Sequence, residues 1–220
     1  MKITILKTLV LLFIFSAAFE AAAQDKVLLM SGKVLRGKVK KEHEGYYDFS
    51  YYKKGGKVKE IELTKFRVFS LTDSKGTEDI IYKQDSLLGS FYSKNEMKMQ
   101  VYGQRDAYSA YQSTPLFVAG FAFGFSAVLF DTYEFLGPNA GFFQRSPSIA
   151  PIIVPVVLTI GSGFLKTKIK REYASDVTYL NNEFYIEGFQ KVAKTKRVKS
   201  TFFGSVIGVA SGFLLYNLSK

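Results

Sequence analysis

The spacing of apolar residues changes character once along this chain, near its middle. From residue 24 to about 102, apolar and polar positions alternate with period two, interrupted by turn signals at Ser31-Gly32, Lys53-Lys54-Gly55-Gly56 and Ser74-Lys75-Gly76. Such alternation is the mark of strands with one covered face. Strands are predicted at Lys26–Met30, Val34–Lys40, Tyr46–Tyr52, around Val58, Ile61 and Leu63, at Phe66–Leu71 and at Ile80–Tyr82. In the third, Tyr47, Phe49 and Tyr51 share one face and Tyr46, Asp48, Ser50 and Tyr52 the other. Gly37 is expected to mark a bulge or bend. Short strands at this spacing predict a small barrel-like sheet or a strongly bent meander. About 75 residues lies near the lower limit for a self-standing core.

Beyond residue 103 the apolar positions run together. Residues 107–130 carry no charge, Pro147–Leu165 gives 19 uncharged residues, and Ser200–Ser219 gives 20. Runs of this length are candidate membrane spans, placed near 116–136, 147–165 and 200–218. Ser113-Thr114-Pro115 offers an N-cap and a proline for the start of the first. Gly204, Gly208 and Gly212 line one face of the third, and Gly120 and Gly124 form a shorter series in the first. Missing side chains let helix backbones approach closely, which favours association in lipid. The spacing leaves open whether the partner helix belongs to the same chain or to a second copy. The fold class expected is therefore an α+β membrane protein, with a small all-β domain (24–102) followed by a helical membrane domain (103–220) of about three helices.

Residues 1–23 read as a cleaved secretory signal. Lys2 and Lys7 precede the apolar stretch Leu9–Phe19, and Ala21-Ala22-Ala23 gives small residues before Gln24. The leader predicts an envelope location, with the β domain in the periplasm and the helices in the inner membrane. It also bears on the net charge of +11. Nucleic acid is a poor partner for an exported chain, which makes anionic lipid headgroups the expected one. Past the leader the excess divides evenly, 16 Lys/Arg against 11 acids in 24–102 and 12 against 7 in 103–220, and segment 166–199 has nine Lys/Arg against four acids. There Asn181 or Asn182 is placed to cap a helix carrying Phe184, Ile186, Phe189, Val192 and Ala193. Lys191, Lys194, Lys196, Arg197 and Lys199 crowd the end of that helix, so it reads as an interfacial element with its cations at headgroup level. Two orientation rules then conflict. A cleaved signal with three spans puts 166–199 outside, whereas the excess of cations argues for inside.

Reactive groups are sparse. The sequence has no Cys, and its one His, His43, sits between Glu42 and Glu44, so no soft metal site or thiol nucleophile is available. No phosphate-binding loop, dinucleotide fingerprint or zinc-helix motif occurs, and no cofactor is expected. Asp131 and Glu134, three apart, would share a helix face beside the first span.

The chain resembles an uncharacterised Bacteroidota-type family of envelope membrane proteins. The resemblance rests on Asp25–Leu29 with Ser31–Val39, on Val68-Phe69-Ser70 with Gly76 and Ile80-Ile81-Tyr82, on Gly103–Tyr108 with Tyr111, and on Tyr185–Phe189 leading into the last span. It implies an exported strand-rich domain followed by membrane helices, and no activity. The function expected is a non-enzymatic envelope component whose β domain engages an envelope partner while glycine-striped helices anchor and oligomerise it. A small oligomeric channel or transporter-like protein is the alternative, and a membrane enzyme stands third.

Overall fold

The computed structural model describes residues 25–52, 57–87, 89–136 and 140–220. The expected leader (1–23) and the Lys53–Gly56 turn lie outside the described residues. The chain divides into two compact units, Met1–Arg105 and Asp106–Lys220.

The first unit holds strands β1 (Asp25–Leu29), β2 (Val34–Glu42), β3 (Tyr46–Tyr52), β4 (Val58–Thr64), β5 (Val68–Thr72) and β6 (Glu78–Ile80). All pairings are antiparallel, in the order β4-β3-β2-β1-β5-β6. The alternation in β3 decides which face is covered. Tyr47 and Phe49 are buried with Val27, Leu29, Leu63 and Val68, and Tyr51 packs against them.

One short connection sets the shape of this sheet. β4 and β5 are separated in the ladder by three strands, a gap of roughly 19 Å if the sheet were flat. Yet they are joined by a single 3₁₀ turn, Lys65–Arg67, which advances about 2 Å per residue. The sheet must therefore curl until β4 comes back toward β5. The turn is fastened on both sides: Lys65 N–H donates to Gly45 O at 2.9 Å and Met30 N–H to Arg67 O at 2.9 Å.

Several local expectations are corrected here. Phe66 belongs to the turn rather than to β5, and its ring is 63% exposed. The irregularity in β2 falls at Lys40, between Val39 and Lys41. Gly37 instead allows close passage of β3, since a Cβ there would overlap Ser50 O and stand 2.8 Å from Phe49 Cζ. Gly32 does turn the β1–β2 hairpin, with φ +76° and its N–H donating to Leu29 O. The last strand is Glu78–Ile80 rather than Ile80–Tyr82.

A helix follows where none was predicted, α1 (Lys94–Ala110). Its start is a reciprocal cap: Glu96 N–H donates to Ser93 Oγ at 3.4 Å, and Ser93 N–H donates to Glu96 Oε2 at 2.7 Å. These bonds hold the Glu96 carboxyl below its ordinary pKa. Tyr102 on this helix donates to Glu78 Oε2 at 2.8 Å, and its ring meets Phe69 edge-on. The helix continues to Ala110, past the expected boundary at residue 102.

The second unit contains the last residues of α1 and helices α2 (Thr114–Asp131), α3 (Ala150–Phe164) and α4 (Glu183–Leu218). Among the described residues the fold is α+β, a six-stranded antiparallel sheet followed by four helices. Two of these, α2 and α4, are long and apolar enough to cross a membrane by length and composition; α3 is apolar but shorter. α2 ends at Asp131 rather than extending toward 136, so Asp131 and Glu134 do not share a helix face. Asn182 caps α4 by accepting from Tyr185 N–H. From there α4 runs unbroken for 36 residues, about 54 Å, joining the basic segment and the third apolar run in one rod. A helix continuous with that run is not a separate element lying in an interface plane.

Replacing Ser93 by Ala should destabilise the start of α1 by about 1 kcal/mol. The expected readout is faster amide exchange at Met97 and its neighbours, with the sheet amides unchanged. Because the Glu96 pKa is lowered, its contribution holds at neutral pH and is lost as the pH falls through the folded-state value. The same amides should therefore loosen on acidification.

Candidate functional site

The five glycines singled out from sequence lie at one seam between α2 and α4. A Cβ on Gly120 would stand 2.7 Å from Thr201 O, and one on Gly124 would overlap Ser205 O. From the other side, a Cβ on Gly204 would stand 2.9 Å from the Phe117 carbonyl carbon, one on Gly208 2.8 Å from Phe125 N, and one on Gly212 2.7 Å from Val128 Cβ. The glycines of each helix thus receive the backbone or Cβ of the other, within one chain. Hydroxyls complete the seam: Ser113 and Ser200 meet Oγ to Oγ at 2.6 Å, and Ser205 donates to Thr201 O at 2.8 Å.

These pairs also give direction. Residues 113, 117, 121 and 128 meet 200, 204, 208 and 212 in the same order, so α2 and α4 run parallel. α3 runs back in the opposite direction. Its start is near the end of α2, where Asp131 accepts from Ser148 N–H and Oγ–H at 2.6 Å each. Its end is near the middle of α4, where a Cβ on Gly163 would lie 3.7 Å from Lys194 Cε. Pro155 leaves a carbonyl without its helical donor in α3. Small and hydroxyl residues line the inside of this layer, while Phe123, Phe130, Ile153, Val157, Phe203 and Leu214, among others, are exposed.

The segment expected at headgroup level is organised differently. Phe189, Val192 and Ala193 are buried with Ala107, against Tyr108, Tyr111, Ile169 and Tyr173, so the apolar face of this part of α4 is covered by the chain itself. Lys196 points inward and donates to Ala107 O, Tyr108 O and Tyr111 O at 3.0, 2.8 and 2.9 Å. It thereby satisfies carbonyls left over at the end of α1. Burial draws its pKa below the ordinary lysine range, and three carbonyl oxygens are a fitting counterpart for the three protons of the charged form. Arg197 is 4% exposed and donates to Leu165 O, while its Nε is buried without a hydrogen-bond partner among the described residues. Lys196 and Arg197 are thus turned away from the headgroup role expected of them. Lys191, Lys194 and Lys199 are exposed.

Close by, Asp106 is a buried carboxylate with several donors around it. It accepts from Ser175 N–H at 2.8 Å, Ser175 Oγ at 2.7 Å and Tyr185 Oη at 2.8 Å. This arrangement ties the segment before α4 to the end of α1. Sequence reading gave Asp106 no role and set Lys196 at headgroup level, although a signal for its inward direction was present. Counting in threes and fours from Phe189 through Ala193, Arg197, Thr201, Gly204 and Gly208 follows one buried stripe, and that stripe carries this part of α4 inward.

In the first unit, a groove of about 610 Å³ opens beside the 3₁₀ turn and β6, lined among others by Glu42, Tyr47, Lys65, Phe66, Ile81 and Tyr82. Lys65 donates to Glu42 Oε1 at 2.6 Å and lies 5.1 Å from the Tyr47 ring centre. That bond raises the Lys65 pKa, and burial raises those of Tyr47 and Tyr82. His43 contacts Asp48 Oδ2 at 2.8 Å and stacks on Tyr46. Among the described residues no group of three or more His, Cys, Asp or Glu side chains is placed to hold a metal ion. No family model matches the chain, and no curated protein or solved structure is similar enough to lend it a function.

Because the chain has no Cys, the double substitution Ser113→Cys with Ser200→Cys gives a clean test of the seam. The expected product on oxidation is an internally crosslinked monomer. Adding Gly208→Leu, which overfills the seam at a cost of about 1–3 kcal/mol, should reduce that product several-fold. Crosslinks formed only between two chains would assign the seam to an oligomer.

Proposed function

We propose that the protein is a non-enzymatic envelope membrane protein in which α2, α3 and the apolar half of α4 are embedded in the bilayer and the β unit is an interaction module. One observation carries the membrane reading: the inversion of the helical layer. Only 17% of the apolar stretch of α2 and 33% of that of α4 are buried, whereas a soluble core helix would bury most of such a surface. Here glycine and hydroxyl residues pack inside while Phe, Ile, Val and Leu face out. In water that pattern would leave an exposed apolar area far beyond what soluble monomers carry. In lipid it is the favourable one. From Ser200 to Leu218, α4 rises about 28 Å, close to the hydrocarbon thickness of a bilayer.

The parallel run of α2 and α4 supports an up-down-up crossing. Residues 106–113 and 166–199 then lie on one side, and 132–149 on the other. A cleaved leader would put the first side, with the β unit, in the periplasm and the helices in the inner membrane. An oligomeric pore built on the glycine faces is less well supported, because those faces are occupied within one chain. For the β unit, the supporting feature is the groove beside the exposed Phe66 ring, whose mixed lining suits a protein partner.

Two measurements test this. The full chain should stay in the pellet after a carbonate wash. Impermeant maleimide should label Gln112→Cys and Arg171→Cys from one side of the membrane and Gln144→Cys from the other; release into the supernatant, or Gln112 and Arg171 labelling from opposite sides, would refute the reading. A photo-crosslinker at position 66 should trap a discrete envelope protein, and the same adducts from position 75 would argue against the groove.

A further inference from the structure

The two ends of the helical layer differ in charge. Toward the end where α2 finishes and α3 starts, the charged side chains are Asp131, Glu134 and Arg145, with Lys220 just past the end of α4, two of each sign. At the other end Lys166, Lys168, Lys191, Lys194 and Lys199 are all exposed. They occupy similar levels along α4. Thr167 N–H donates to Gln190 Oε1 at 3.1 Å, Arg197 donates to Leu165 O, and Lys194 lies beside Gly163. None of the five has an ion-pair partner among the described residues; the neighbouring acid Glu172 pairs with Lys170 at 3.3 Å. Glu187 lies one turn before Lys191, Glu183 stands in the first turn of α4, and Asp176 belongs to the stretch that leads into it. Within a turn or so of the collar the exposed residues become apolar: Ile160 and Phe164 on α3, Phe202 and Phe203 on α4. A ring of lysines thus sits at the rim of the apolar belt.

Resting on the membrane reading, we infer that this collar is a docking surface for anionic phospholipid headgroups on the side of the bilayer shared by residues 106–113 and 166–199. In the proposed orientation the cations stand on the exported side, where charge hinders translocation and opposes the usual inside bias. As an orientation signal the collar would be misplaced, so its position calls for a gain made after insertion. Lysines at headgroup depth supply one, since each cation near an anionic surface favours association by about fivefold. Charge is the means of recognition here. The sealed Nε of Arg197 is out of reach of a headgroup, and the lysines are flexible point charges without a preformed pocket.

The test uses the full chain in bilayers of phosphatidylcholine mixed with phosphatidylglycerol, reading the motionally restricted fraction of spin-labelled lipid of each kind. The expected result is a several-fold preference for phosphatidylglycerol that falls with salt. It should be abolished when Lys166, Lys168, Lys191, Lys194 and Lys199 are all replaced by Gln, and kept when Arg145 and Lys220 are replaced by Gln. No preference, or one that survives the fivefold replacement, overturns the collar while leaving the membrane reading intact. Inorganic phosphate should displace the labelled lipid no more than sodium chloride of equal ionic strength; stronger displacement would mean a phosphate pocket and would also overturn the proposal. If no lipid of either kind is restricted, the membrane reading itself fails.

Discussion

Two helix backbones come into direct contact only where Cβ atoms are absent, and the positions of those absences organise residues 106–220. Gly120 and Gly124 receive the Thr201–Ser205 backbone, while Gly204 and Gly208 receive Phe117, Phe121 and Phe125. Because both helices contribute, the contact is reciprocal and fixes a register as well as a distance. The register in turn fixes direction. Once α2 and the second half of α4 lie parallel, α3 must run back in the opposite direction and the basic segment must share an end with the entry of the chain. The topology follows from where side chains are missing.

The β unit is governed by a comparable constraint of a different kind. Nothing in the strands themselves demands that β4 and β5 meet. A three-residue connection between opposite halves of the ladder does, and the curled sheet then has an inside for Val27, Tyr47, Phe49 and Val68 to fill. The same turn lifts Phe66 out of the sheet and leaves a groove at the seam. A feature that closes the core thus also exposes the one large ring available for contact there.

Much of this was legible beforehand because it depends on local periods. β3 and its covered face, the glycine faces and the cap at Asn182 follow from spacing of two or of three to four. What escaped depends on reading composition as a boundary. α1 mixes its apolar residues with two Lys, two Gln, one Arg and two acids and shows little apolar stripe, although Ser93 and Glu96 at the right spacing announce its start. α4 was divided in two because its residues change from basic to apolar near Ser200, yet no proline breaks it there and the buried stripe runs on. Treating every cation near that change as exposed misplaced Lys196 and Arg197, whose inward direction is a matter of helical phase. The set of bonds around Asp106 joins residues 69 and 79 positions apart, a distance over which no local pattern speaks.

The contact of Lys196 with three carbonyls has a mechanical consequence. Between α1 and α2 the chain passes through Tyr111, Gln112 and Ser113, a joint that on its own would act as a hinge. The ammonium group grips the last turn of α1 and the first residue of that joint, and anchors them to α4. Tension reaching the end of α1 is therefore passed sideways into the longest rod of the molecule, and the short joint is spared from bending.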